Sequence, residues 1–247
     1  MRPTLKSTIG AMLDSFGTHR ATTPPSGDIA MAAHLAALFK SLKIDLVIDV
    51  GADQGQFGTL LRDHVGYTGP IASFEPIPAS FATLQHRASI DPMWQVEHAA
   101  LGEALGDLPL NVIDLQNFRP APPPNTQRLP ARHTAQIKRQ TIPVRTLDDI
   151  VPALRTRTRA RHIFLKLDTN ARDRAILHGG EHALGTIAAI QTELYTDRQF
   201  EDLPHYLGLL SYFQAKHFTP NQFFPTAAET NTQPTHFTCC MVNTSHR

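Results

Sequence analysis

Leu46-Val47-Ile48-Asp49-Val50-Gly51-Ala52-Asp53-Gln54-Gly55 is the stretch that decides the fold. Its first five residues are apolar or β-branched except for one aspartate, and they show no alternation of apolar and polar positions. Such a run fits a strand buried on both faces of a parallel sheet. The run ends at Gly51, and further glycines stand at positions 55 and 58. A strand that breaks into a glycine-rich turn and then a helix-like stretch, residues 55–64, is the opening of a βαβ unit.

The pattern extends in both directions. Asp28 is placed to cap a helix running to Lys40, with Ile29, Ala32, Ala33, Leu35, Ala36 and Phe39 on its apolar side. Residues 1–27 close on a Thr, Pro, Ser and Gly cluster and read as an N-terminal extension, part of it a short helix over the active site. Residues 28–247 read as a single domain. Within it, residues 70–74, 94–99, 163–167, 187–192 and 237–242 are predicted strands, and 79–89 and 172–184 predicted helices. Strands alternating with helices place the chain in the α/β class. An insertion at about 106–145 interrupts the order. Its proline cluster, 118–126, excludes helix and central strand. The flanks, 108–113 and 141–145, are expected to pair as a hairpin and the loop to act as a lid over an acceptor.

The totals exclude several classes. A chain of 247 residues can bury a full core. Lys and Arg number 23 against 22 for Asp and Glu, so no bulk charge grips nucleic acid or a membrane surface. No run reaches the roughly 18 apolar residues of a membrane span, and no apolar stretch follows Arg2 and Lys6 as a signal peptide requires. The 13 histidines lack the spacing of a zinc site, and no metal ligands are assigned. Cys239 and Cys240 are adjacent, so on a strand they face opposite ways and act as small apolar residues. That usage suits a reducing cytoplasm.

The turn itself carries chemistry. Gly51 allows a tight bend and close approach of a ligand to backbone. Gly55 stands where the next helix begins, with amides available to an anionic group. Three residues separate these glycines, unlike the G-x-G-x-x-G of dinucleotide sites. Phe74-Glu75-Pro76 then places a carboxylate at the end of the second strand, where it can accept both hydroxyls of a ribose.

These features resemble the FkbM-type family of S-adenosylmethionine-dependent methyltransferases. The likeness rests on Val47-Ile48-Asp49-Val50-Gly51-Ala52-Asp53-Gln54-Gly55, Ser73-Phe74-Glu75-Pro76, Ala99-Ala100-Leu101-Gly102-Glu103, Phe164-Leu165-Lys166-Leu167-Asp168-Thr169 and Val144-Arg145-Thr146-Leu147-Asp148-Asp149-Ile150, and spans about residues 44–195. The resemblance implies a Rossmann-like class I methyltransferase fold, a mostly parallel seven-stranded sheet with helices on both faces. It also implies S-adenosyl-L-methionine as cofactor and O-methylation of a hydroxyl on a carbohydrate or secondary metabolite. Carried over by position, Asp49, Gly51, Gln54, Gly55 and Glu75 bind the cofactor, joined by Ala52, Asp53, Phe57 and Pro76, with Ala100 and Leu101 lining the adenine. The chain departs from the family at Asn170-Ala171-Arg172 and in its proline cluster. Both departures fall on the acceptor side.

Methyl transfer from a sulfonium is an in-line displacement, and alignment alone is worth roughly 7–11 kcal/mol. A sugar-like hydroxyl needs a general base or a metal nearby. Asp168 is the leading candidate for that base, because it closes a strand where ligands gather in α/β sheets. Lys166, two residues earlier on the same face, can pair with it. Glu193, at the end of the next strand, can join Asp168 as base or as a magnesium ligand. His98, His133 and His178 are alternative bases, and Tyr195 a candidate border of the acceptor pocket. The basic run at 155–161 is either a solvated face or a holder for an anionic acceptor. The expected partner is a small-molecule or saccharide acceptor, not nucleic acid. The rivals are a nicotinamide-dependent oxidoreductase and a non-catalytic binding domain.

Overall fold

Strand β1 (Leu46–Val50) is buried at every residue because sheet lies to both sides of it and helices cover both faces. The computed structural model describes residues 26–113, 137–169, 172–195, 206–225 and 236–246. From edge to edge the main sheet runs β3 (Trp94–Glu97), β2 (Ile71–Phe74), β1, β7 (Ile163–Leu167), β8 (Ile187–Tyr195), β10 (His236–Asn243) and β9 (Phe218–Pro225). The first five are mutually parallel. Only β10 runs antiparallel, to both its neighbours. This is the mostly parallel seven-stranded α/β sheet expected of the sequence.

Alternation along each strand sorts the core into two layers. Val47 and Phe164 pack with α1 (Ser26–Leu42), α2 (Gln56–Leu60) and α3 (Pro78–Ala88), through Leu35, Phe39, Phe57, Leu61 and Leu84. Ile48 and Leu165 face α4 (Leu147–Thr158), α5 (Asp173–His178) and α6 (Tyr206–Ala215), through Ile150, Leu154, Ile176 and Phe213. Phe164 is fully buried, its ring 4.8 Å from Phe39 and 6.4 Å from Phe57. Truncating such a side chain costs about 3–5 kcal/mol. Cys239 joins one layer and Cys240 the other, both buried and unbridged.

Several boundaries differ from expectation. Helix α1 starts at Ser26, so Asp28 lies in its first turn instead of capping it. Helix α2 lasts five residues and continues as a π-type turn, Leu61–Val65. The stretch at 172–184 is helical only to His178, followed later by a 3₁₀ turn, Leu184–Thr186. Gly179, followed by Gly180, caps the helix, and Gly179 packs on the Gly102 carbonyl, where a Cβ would come within 2.1 Å. Strand β3 ends at Glu97, and β4 (Ala100–Leu101) leaves for a second sheet of order β4-β6-β5. There β5 (Gly106–Ile113) and β6 (Ile137–Arg145) pair antiparallel. The proline cluster at 118–126, the N-terminal residues 1–25, Asn170 and Ala171 lie outside the described residues. Among the described residues no helix is long and apolar enough to cross a membrane.

Candidate functional site

The carboxyl ends of β1, β7 and β8 open onto one cavity of about 450 Å³, within the range of small-molecule sites. The turn after β1 supplies Gly51, Ala52 and Asp53, and α2 supplies Gln56 and Phe57. Beside them stand Lys166 of β7, Asp168 just past its end, and Gln191, Thr192 and Glu193 of β8, with Met31 of α1 and Thr238 of β10 completing the lining.

The turn is held by backbone. The amides of Gly51 and Ala52 both donate to the Phe74 carbonyl, at 3.0 and 3.2 Å. Gly51 has φ +73°, and a Cβ there would sit 2.0 Å from the Asp168 carbonyl oxygen, so no other residue fits. Asp53 donates its amide to Glu75 Oε2 at 2.8 Å, while Glu75 Oε1 accepts from the Ile77 amide at 2.7 Å. The buried Glu75 therefore straps the turn to the end of β2. Burial pushes its pKa up, against the two amides that pull it down.

Asp49 and Lys166 are cross-strand partners in the β1–β7 register. Lys166 Nζ donates to the Gly51 carbonyl at 2.9 Å and lies 3.4 Å from Asp168 Oδ2. It also lies 3.1 Å from Asp49 Oδ1, an ion pair whose angles fall short of a hydrogen bond. Burial opposes the ammonium charge, but Asp49 and Asp168 outweigh it and the pKa is raised. Asp49 Oδ2 accepts from Ser73 Oγ at 3.1 Å, and Ser73 Oγ accepts from Trp94 Nε1 at 3.0 Å. One buried polar chain thus ties four strands to the turn.

A second device sets the part of the lining that comes from β7 and β8. Thr169 Oγ1, just past β7, donates to Asp173 Oδ1, and Thr192 Oγ1 of β8 donates to Asp173 Oδ2 at 2.6 Å. Asp173 is buried, and burial raises its pKa against those two hydroxyls. It clamps together the strand ends that carry Asp168 and Glu193. The Tyr195 hydroxyl donates to Glu193 Oε2. Burial, and then the nearby charge of Asp168, raise the pKa of Glu193.

Of the residues singled out from sequence, Gly51, Ala52, Asp53, Phe57, Lys166, Asp168 and Glu193 meet at this cavity. Asp49 and Glu75 stand behind it as buried supports, and Gln54, Gly55 and Pro76 do not line it. Ala100 and Leu101 lie on β4, and Leu101 packs into the α4–α6 layer. His98 stacks on Phe81 at 4.7 Å, and His178 lies 3.7 Å from Glu181. Neither lines the cavity, and His133 lies outside the described residues. The run at 155–161 lies at the other, amino-terminal edge of the sheet. Met31, Gln191, Thr192, Thr238 and the supporting Asp173 were not foreseen. Their signal in the sequence is faint: Gln191 and Thr192, with Glu193, interrupt a strand whose other residues are apolar or aromatic. Among the described residues no group of three or more His, Cys, Asp or Glu is arranged to hold a metal ion.

The model of a family described as Methyltransferase FkbM domain matches residues 49–220. No curated protein matches the chain. Among solved structures, methyltransferase FkbM from Methylobacillus flagellatus KT is similar at a TM-score of 0.50 and 17% identity, over 81% of this chain. The match spans only 43% of that protein's chain. Magnesium protoporphyrin IX methyltransferase (ChlM) from Synechocystis PCC 6803, solved with bound SAM, is similar at a TM-score of 0.50 and 8% identity, over 96% of this chain and 92% of that one. At such identities the likeness is one of fold.

Proposed function

The chain belongs to the FkbM methyltransferase family, and on that premise we propose that it moves a methyl group from S-adenosyl-L-methionine to a hydroxyl of a carbohydrate or secondary-metabolite acceptor. The observation that carries this reading is one cavity lined both by the glycine turn and by two carboxylates, Asp168 and Glu193. The residues fit the cofactor. Gly51 keeps its own part of the lining free of a side chain, and Asp53, Asp168 and Glu193 outnumber the one cation, Lys166, as suits a sulfonium. Gly51, Ala52 and Asp53, whose amides are engaged within the protein, would form the surface along which the aminoacyl part lies. Glu75 would act from behind the wall, by holding the Asp53 amide and so the shape of the turn against which the cofactor lies.

The bound cofactor supplies an electrophilic methyl group, so the protein's task is alignment and proton removal. Glu193 takes the acceptor's proton. Its raised pKa brings it closer to neutrality, where a general base works best. Asp168 accepts a hydrogen bond from the same acceptor and orients it. Lys166 stays protonated and therefore positions the Gly51 turn and Asp168 instead of acting as a base. Asp173 fixes the spacing of the two carboxylates. The buried, unbridged cysteines support a reducing, cytoplasmic setting.

Thermal shift with adenosylmethionine, adenosylhomocysteine and NAD tests the cofactor: the first two should stabilise in proportion to the logarithm of excess ligand, and NAD should not. Transfer of labelled methyl to hydroxylated acceptors, with and without Mg²⁺, tests the reaction. Stabilisation by NAD alone would point to the oxidoreductase. Cofactor binding with no transfer to any acceptor would leave only a binding domain.

A further inference from the structure

The basic run Arg155-Thr156-Arg157-Thr158-Arg159-Ala160-Arg161 takes no part in the site above. It passes from the last turn of α4 to the start of β7, at the amino-terminal edge of the sheet. A second cavity, of about 500 Å³, lies there between α4 and the segment 182–186. Arg155, Arg159, Arg161 and His182 line it, and Asp148 is the one carboxylate among its lining residues. Asp148 is already engaged: its oxygens accept from the amides of His182, at 3.1 and 3.3 Å, and Ala183, at 2.7 Å. Among the described residues no carboxylate lies within ion-pair distance of the three arginine side chains.

Three details separate this cluster from an ordinary solvated face. Arg155 Nε donates to the Ala160 carbonyl at 3.3 Å, which holds the guanidinium and leaves its terminal nitrogens for another acceptor. The loop that carries Arg161 is pinned, because the Asp45 carboxylate accepts from the amides of Arg161, at 2.9 and 3.0 Å, and His162, at 2.8 Å. Arg159 is the left-handed C-cap of α4, φ 59°, so its side chain leaves from a fixed point at the helix end. A cation answering the helix dipole accounts for Arg155, in the last turn, but Arg159 and Arg161 lie beyond the helix end. With a net charge of only +1 over the chain, the cluster is no by-product of a basic surface.

We infer that this cavity is an anion site that takes a phosphate-bearing small molecule, gripped by the guanidinium forks of Arg155, Arg159 and Arg161. Its volume is in the range of small-ligand sites. It is not the acceptor subsite, because the five residues of β7 put roughly 17 Å between the two edges at about 3.3 Å per residue.

The test is calorimetric titration of the whole chain with pyrophosphate at constant ionic strength, with chloride as the matched control. Saturable one-to-one binding is expected, weakened at least tenfold in R155Q/R159Q/R161Q and unchanged in R157Q, whose side chain borders a different cavity on α4. Thermal stabilisation by adenosylmethionine should be the same in all these proteins. In the unmodified chain, pyrophosphate should also shift the Nε–Hε magnetic-resonance signals of the three arginines, a readout that survives if the triple variant fails to fold. Non-saturable binding, equal binding in the triple variant, or unmoved arginine signals would mean an adventitious ion only, and the inference would fall.

Discussion

Along β7, five residues separate two cavities of opposite character. At the carboxyl edge, Asp53, Asp168 and Glu193 face a single cation, Lys166, whose charge Asp49 already balances. At the amino edge, Arg155, Arg159, Arg161 and His182 face a single carboxylate, Asp148, whose oxygens are engaged by amides. The edges also differ in how they are held. The acidic edge is wired through the core, from Trp94 by way of Ser73, Asp49 and Lys166 to Gly51. The basic edge hangs on one pinned loop, with Asp45 as its anchor. A parallel sheet gathers one class of loops at each end, so two fields of opposite sign coexist in a chain whose sum is near zero. The contrast predicts that damage at one edge should not cross to the other.

The harshest test of the wired edge is Gly51→Ala. The left-handed backbone alone costs about 1–2 kcal/mol, and the new Cβ would meet the Asp168 carbonyl. Melting should show a lower Tm and no stabilisation by adenosylmethionine, while pyrophosphate still binds whatever chain remains folded. Glu193→Gln comes next. It should slow methyl transfer by about 10²–10⁴ and leave the cofactor-induced shift intact. Near-normal turnover would remove Glu193 from the mechanism.

The pH profile sharpens the same point. Glu193 must be ionised to accept a proton, so activity should fall as pH drops through its raised pKa, above the ordinary glutamate range. Tyr195→Phe removes a donor that stabilises the ionised form, so the limb should move to higher pH. At the basic edge, Asp45→Ala removes the acceptor of the Arg161 and His162 amides, costing about 0.5–1.5 kcal/mol in denaturant unfolding, since the Arg161 amide can turn to water. It should not alter cofactor binding. Arg155→Gln is the mildest, at about 0.3–1 kcal/mol for a cation in a helix's last turn. If it also abolished methyl transfer, the two edges would be one site and the contrast would collapse.

The division between what the residues announced and what they concealed follows the range of the forces. The run at 46–50 and the glycine turn are local signals, and they led to the α/β sheet and the family. Register is not local. Asp49 reads as a residue beside a ligand, yet its pairing with Lys166 across β1 and β7 puts it behind the wall. The stretch at 172–184 has helical periodicity, but the helix ends at His178 on the glycine pair 179–180, and the contact that demands glycine at 179 comes from Gly102, far away in sequence. Asp173 stands in the first turn of α5, and its role as a clamp comes from Thr169 and Thr192, on either side of it in space. In each case the deciding partner comes from another strand or loop.

Trp94 is the chain's one tryptophan, and it sits at the head of the buried polar chain that ends on Gly51. Its ring also lies so close to Gly58 that a Cβ there would come within 2.1 Å of it. The indole therefore samples the turn's environment from inside. Intrinsic fluorescence should respond to ligand arrival at the turn, with no dye attached and no engineered probe.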